Sequence, residues 1–176
     1  FNNGDADGES NNPLNWNTSQ VTNMTNMFKA NYVFNQDIGN WDTSEVLSMQ
    51  NMFYSAERFN QDIGSWNTSK VENTAAMFKY AYVFNNGDVD GEYNKPLNWD
   101  TSSINNMTSM FVRANVFNQE IGNWDTENVI IMETMFQQAV RFNKEIRYWN
   151  IDSIVSFTDM FLGATAFKTE YSADDT

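Results

Sequence analysis

Six tryptophans constrain this chain more than any other feature. They stand at Trp16, Trp41, Trp66, Trp99, Trp124 and Trp149, at intervals of 25, 25, 33, 25 and 25 residues. Phe34, Phe59, Phe84, Phe117, Phe142 and Phe167 repeat the same intervals, and Phe1 precedes Phe34 by 33. The chain therefore divides into units 1–33, 34–58, 59–83, 84–116, 117–141 and 142–166, with the start of a seventh at 167–176. Two super-repeats of 83 residues result, Phe1 to Val83 and Phe84 to Ala166. All ten Met fall in two slots of the unit. A residue type that recurs once per unit builds the unit, so these side chains are expected to be stacked core rungs.

A 25-residue unit cannot bury an apolar face alone, and stacking on its neighbours is what hides it. Asp42, Thr43 and Ser44 supply short oxygen side chains of the kind that cap helix starts and turns. Val46, Met49, Met52, Phe53 and Ala56 then follow at helical spacing. Phe59 to Ile63 reads as a short strand that ends at Gly64. The expected fold is an α/β repeat solenoid, one short strand and one short helix per coil, in a single domain over 1–176. Parallel strands spaced by ~4.8 Å would make six coils roughly 30 Å long.

Charge and composition narrow the function. The chain carries 10 Lys+Arg against 23 Asp+Glu, a net charge of -13, so neither nucleic acid nor an anionic membrane surface is an expected partner. It has no Cys and no His, which removes thiolate chemistry, the commonest general base and the usual zinc ligand. No apolar run approaches the ~20 residues that cross a bilayer, so insertion of this segment into a membrane is not expected. Closely spaced carboxylates occur, but no nucleophile, phosphate loop or oxyanion motif accompanies them, and no enzyme is expected. Because the chain begins with Phe1 at the start of a unit, it reads as part of a longer repeat array.

The string F-N-Q-D-I-G-N-W-D-T-S-E-V-L-S-M-Q-N-M-F-Y-S-A, Phe34 to Ala56, resembles the 25-residue repeat of BspA-like leucine-rich-repeat surface proteins, also found in mycoplasma-type surface lipoproteins. The resemblance recurs in all six units. It implies a right-handed, leucine-rich-repeat-like solenoid at an extracellular, cell-surface location. It also implies adhesion or protein binding rather than catalysis. Two departures stand out: eight residues are inserted in units one and four, and Arg147 replaces the Gly of Gly39, Gly64 and Gly122.

Both insertions contain N-x-D-x-D-G-E: Asn3, Asp5, Asp7 and Glu9 in the first, Asn86, Asp88, Asp90 and Glu92 in the second. Oxygen side chains at alternate positions followed by Gly are how a loop wraps Ca2+. The twelfth position, however, is Leu14 or Leu97 where a bidentate Glu is expected. The loop is therefore either a structural calcium site or an acidic turn that needs no ion.

On the surface, Asn35, Asn60, Asn118 and Asn143 form a column that either bonds the adjacent coil or presents a polar binding ladder. Thr18, Thr43, Thr68, Thr101 and Thr126 form another, and a flat exposed rank of Thr would suit ice binding. Tyr32, Tyr54 and Tyr80 lie in slots that vary from unit to unit and are the candidate binding residues, since Tyr is enriched in contact surfaces. The expected partner is a protein or glycan on another cell or matrix. The alternative is a plain spacer within a large surface adhesin.

Overall fold

A computed structural model describes residues 13–171. The chain winds into coils that follow the repeat. Parallel bridges pair Asn23 with Ser48, Ser48 with Asn73, Asn73 with Asn106, Asn106 with Ile131 and Ile131 with Ser156. Each coil thus contributes one bridging residue to its neighbours.

The expectation of one strand and one helix per coil is overturned. Among the described residues the bridges are isolated, and there is a single helix, α1, Thr165–Tyr171. The Val46–Ala56 segment, expected to be helical, contains the Ser48 bridge followed by turns, and the Phe59–Ile63 segment carries no bridge. An α/β solenoid with a strand and a helix in every coil is therefore not what this sequence builds.

The reason lies in where the amides go. Met49, Asn51, Phe53 and Ser55 donate to the carbonyls of Asn73, Ala75, Met77 and Lys79 in the next coil, at 2.8–2.9 Å. The residues between them turn inward: Met52, Tyr54 and Ala56 donate to Met49, Asn51 and Phe53, three positions back. A helix would send every N–H four residues back, and a strand would leave none for turns. Here one segment does both by alternation. Its internal period is three, close enough to 3.6 over two turns that the apolar spacing fits a helix equally well.

Alternation also demands unusual backbone. Asn26, Asn51, Ala76, Ser109, Thr134 and Asp159 have positive φ, as do Ala30, Ser55, Tyr80, Arg113, Gln138 and Gly163, so two slots in every coil are left-handed. Asn51 and Ser55 are the third residues of the Met49–Met52 and Phe53–Ala56 turns, where a type II turn requires φ above zero. A non-glycine residue there costs about 1–2 kcal/mol. The cost is met because both neighbouring coils hold the flanking amides in place.

The core is the aromatic ladder that the repeat predicts. Phe28, Phe53, Phe78, Phe111, Phe136 and Phe161 stack with centroids 5.5–5.7 Å apart. Phe34, Phe59, Phe84, Phe117, Phe142 and Phe167 stack beside them at 5.7–6.0 Å. The two columns meet face to face where one unit ends and the next begins, for example Phe78 and Phe84 at 3.8 Å. The steps from Phe59 to Phe84 and on to Phe117 are ordinary although eight extra residues lie between Phe84 and Phe117, so the second insertion is extruded without breaking the stack. Burial of each fully buried Phe contributes about 1.5–3 kcal/mol.

Tryptophan couples core to backbone. The indole Nε1 of Trp41, Trp66, Trp99, Trp124 and Trp149 donates to the carbonyls of Leu14, Ile38, Ile63, Leu97 and Ile121, each on the preceding coil, at 2.6–3.1 Å. Gly39 faces the following coil at close range, since a Cβ there would lie 2.7 Å from the Asp62 carbonyl oxygen. A prediction follows from the indole bond: Trp99→Phe keeps the ring but leaves the Ile63 carbonyl without this donor. The expected loss is about 1–3 kcal/mol, read as a lower urea midpoint at unchanged slope.

Candidate binding edge and the inserted loop

The repeated polar columns are structural. Asn35 Oδ1 accepts from the amide of Asn60, Asn60 Oδ1 from Asn85, Asn85 Oδ1 from Asn118 and Asn118 Oδ1 from Asn143, at 2.8–3.0 Å. The column therefore joins coil to coil and does not stand out as a binding ladder. The Thr column is buried too. Thr43, Thr68, Thr101 and Thr126 donate to the carbonyls of Asn67, Asp100, Asp125 and Asn150 in the next coil. The flat, exposed Thr rank needed for ice binding is absent at these positions.

Before each of these Thr an Asx side chain closes a turn. Asp42 Oδ1 accepts from the hydroxyl and the amide of Ser44, at 2.6 and 3.0 Å. Asp100 does the same with Ser102. In both, the hydroxyl bond first and the amide bond second hold the carboxyl below its ordinary value.

The second insertion folds around Asp88. Its carboxylate is buried and accepts from the Gly91 amide at 2.9 Å and from Asn85 Nδ2 and Gln119 Nε2 at 3.2 and 3.3 Å. Asn86, also buried, accepts from the Ile63 amide and donates to the Lys95 carbonyl, both at 2.8 Å. Asp90 and Glu92 face solvent. The four expected calcium ligands thus divide: two are committed to protein partners and two point outward. Among the described residues no three His, Cys, Asp or Glu side chains gather where an ion could sit. As placed, hydrogen bonds from Gly91, Asn85, Gln119 and Ile63 pin the loop through Asp88 and Asn86. Asn3, Asp5, Asp7 and Glu9 lie outside the described residues.

Beside this loop a groove of about 640 Å³ runs past Arg58, Asp62, Val83, Val89 and Lys95. Lys95 lies 3.6 Å from Asp62, so the groove's charges are partly balanced from within.

The tyrosine edge is different. Tyr54 and Tyr80 meet edge to face at 5.5 Å and 89°, and Tyr82 joins Tyr80 at 6.3 Å. Lys29 Nζ lies 5.2 Å from the Tyr54 ring centre, and Lys79 Nζ lies 5.5 Å from that of Tyr80. The Arg113 guanidinium lies 5.8 Å from the Tyr80 ring and its Nε donates to Gln138 Oε1. Tyr32 is exposed on the first coil, in the slot that Tyr82 fills two coils on, and no ring contact joins it to this group. Two of the three candidate tyrosines are therefore brought together. Tyr82, Lys29 and Lys79 complete the group and were missed. The signal was available, because Lys29 and Lys79 occupy the slot of Tyr54 in the flanking units.

Uniform core columns, coil-to-coil polar ladders and one irregular cationic edge define a stacked repeat protein. A family model described as "Mycoplasma protein of unknown function, DUF285" matches residues 3–95 and again residues 89–176, and the chain belongs to that family. The two matches follow the two super-repeats. No curated protein and no solved structure matches the chain.

Two predictions follow from the geometry. Asp88→Ala lowers stability by about 1–3 kcal/mol, Asp90→Ala changes it by less than about 0.5 kcal/mol, and chelation by EDTA leaves the melting transition in place. A transition that rises with calcium and falls with Asp90→Ala would contradict this. The second concerns pH. The folded carboxyls of Asp42 and Asp100 titrate below their unfolded value, so they protect the fold above about pH 4, and that contribution is lost as pH falls through the lowered folded value. Acid unfolding of the Ser44→Ala, Ser102→Ala double variant is expected to show a shallower pH dependence than that of the parent chain.

Proposed function

We propose that this chain is a non-catalytic binding module of a bacterial surface protein, acting outside the cell in adhesion or protein binding, with a protein or glycan of another cell or matrix as partner. The observation that carries this is where the repeat stops repeating. The Phe and Trp columns hold one residue type from coil to coil. The edge columns instead run Lys29, Tyr54, Lys79, Val112, Gln137, Leu162 and Ala30, Ser55, Tyr80, Arg113, Gln138, Gly163. Tyr and Arg are the residues that dominate contact energetics elsewhere, and here they cluster. A spacer has no need for such a break in its pattern.

The test is a panel of matrix proteins and glycans probed with the 176-residue chain and its Tyr54→Ala, Tyr80→Ala double variant. Binding to at least one member is expected, with a loss on the order of tenfold or more in the variant. Silence across the panel would favour the spacer.

A further inference from the structure

Seven of the ten cations of the chain fall into two groups. Lys70, Lys95, Lys144 and Arg147 each sit against a carboxylate: Glu45, Asp62, Glu120 and Glu145 respectively. Lys29, Lys79 and Arg113 have no carboxylate partner among the described residues, although the chain carries a net charge of -13. They rest over tyrosine rings instead. A ring quadrupole orients a cation without cancelling its charge. Among the described residues, the edge is thus a line of positive groups seated over rings and without an ion-paired carboxylate, on an acidic molecule.

The line has direction. Lys29, Lys79 and Arg113 belong to the first, third and fourth coils, and successive coils are separated by 5.5–5.7 Å in the Phe28 column. A ligand that meets all three is extended along the stack and carries anionic groups at intervals.

Its chemistry can be narrowed further. A peptide strand docks by pairing its backbone with free backbone groups. Here the amides of Ala30, Ser55, Tyr80 and Arg113 already donate to Tyr54, Lys79, Val112 and Gln137 of the next coils. Single-stranded nucleic acid needs open aromatic faces on which bases stack. The Tyr80 ring is attended by both Lys79 and Arg113, and Tyr54 by Lys29. What remains on offer is ammonium, guanidinium, phenol hydroxyl and the Gln137 and Gln138 amides. These are the donors that take sulfate, carboxylate and sugar hydroxyl groups.

We propose that the Tyr54–Tyr80 edge binds a linear anionic polysaccharide, with Lys29, Lys79 and Arg113 taking its sulfate or carboxylate groups. This rests on the binding-module reading above and names the class of ligand.

The probe is heparin, with desulfated heparin, neutral dextran, poly-glutamate and oligo-dT as comparison ligands, measured by calorimetry at about 50 and 200 mM salt. Heparin is expected to bind at the lower salt, to weaken at the higher, and to lose on the order of tenfold in affinity with Lys29→Gln, Lys79→Gln, Arg113→Gln combined. Lys70→Gln, Lys144→Gln is expected to bind heparin as the parent does. Retention of desulfated heparin assigns the recognised group to carboxylate, and its loss to sulfate. An unchanged melting transition in the triple variant separates lost contact from lost fold. The proposal is overturned if heparin does not bind, if the triple variant binds it undiminished, or if poly-glutamate or oligo-dT binds as tightly. Should the matrix panel reveal a ligand lost in the tyrosine variant while heparin stays unbound, the polysaccharide assignment fails and the binding module stands.

Discussion

An amide that points along the stack can be satisfied only by another coil. That constraint governs the molecule. In each coil, alternate N–H groups leave the turn segment to meet carbonyls of the next coil, and the indole of the next coil returns a bond to the one before. No coil can complete its hydrogen bonds or cover its Phe pair by itself. Stability is therefore a matter of nearest-neighbour interfaces, each built from the same slots. The left-handed positions follow from this arrangement, since turning every second amide outward fixes the dihedrals between them.

The register of the units, the identity of the core and the existence of the Asn column were all legible, because each depends on recurrence and recurrence is visible in one dimension. The local conformation was not. Val46, Met49, Met52 and Ala56 are spaced for a helix and equally for successive three-residue turns. The left-handed slots were hidden as well: Ala76, Ser109 and Thr134 carry no preference for that region, and only Gly163, Asp159 and the Asn residues hint at it. The insertion shows a third kind of limit. Asn86 and Asp88 stand at calcium-loop spacing, but Ile63 and Gln119, from other coils, occupy their oxygens. A linear motif cannot reveal partners that arrive from neighbouring windings.

The candidate edge was half visible for a related reason. Tyr54 and Tyr80 departed from the pattern and could be singled out, whereas the lysines beside them looked like ordinary surface charge. Only stacking places Lys29 over Tyr54 and Arg113 over Tyr80. The rigid interior is what makes such an edge useful. Side chains mounted on adjacent coils are held at a fixed pitch, so their separation does not have to be selected at the moment of contact.

The extruded insertion carries a wider consequence. If eight additional residues leave the Phe59, Phe84 and Phe117 stack undisturbed, winding length is not a quantity the interior inspects. Unequal crossover between like gene segments could then add or delete whole windings, or lengthen one, and still yield a sound molecule. Evolution would reach new spans and new outward decorations without redesigning any buried joint.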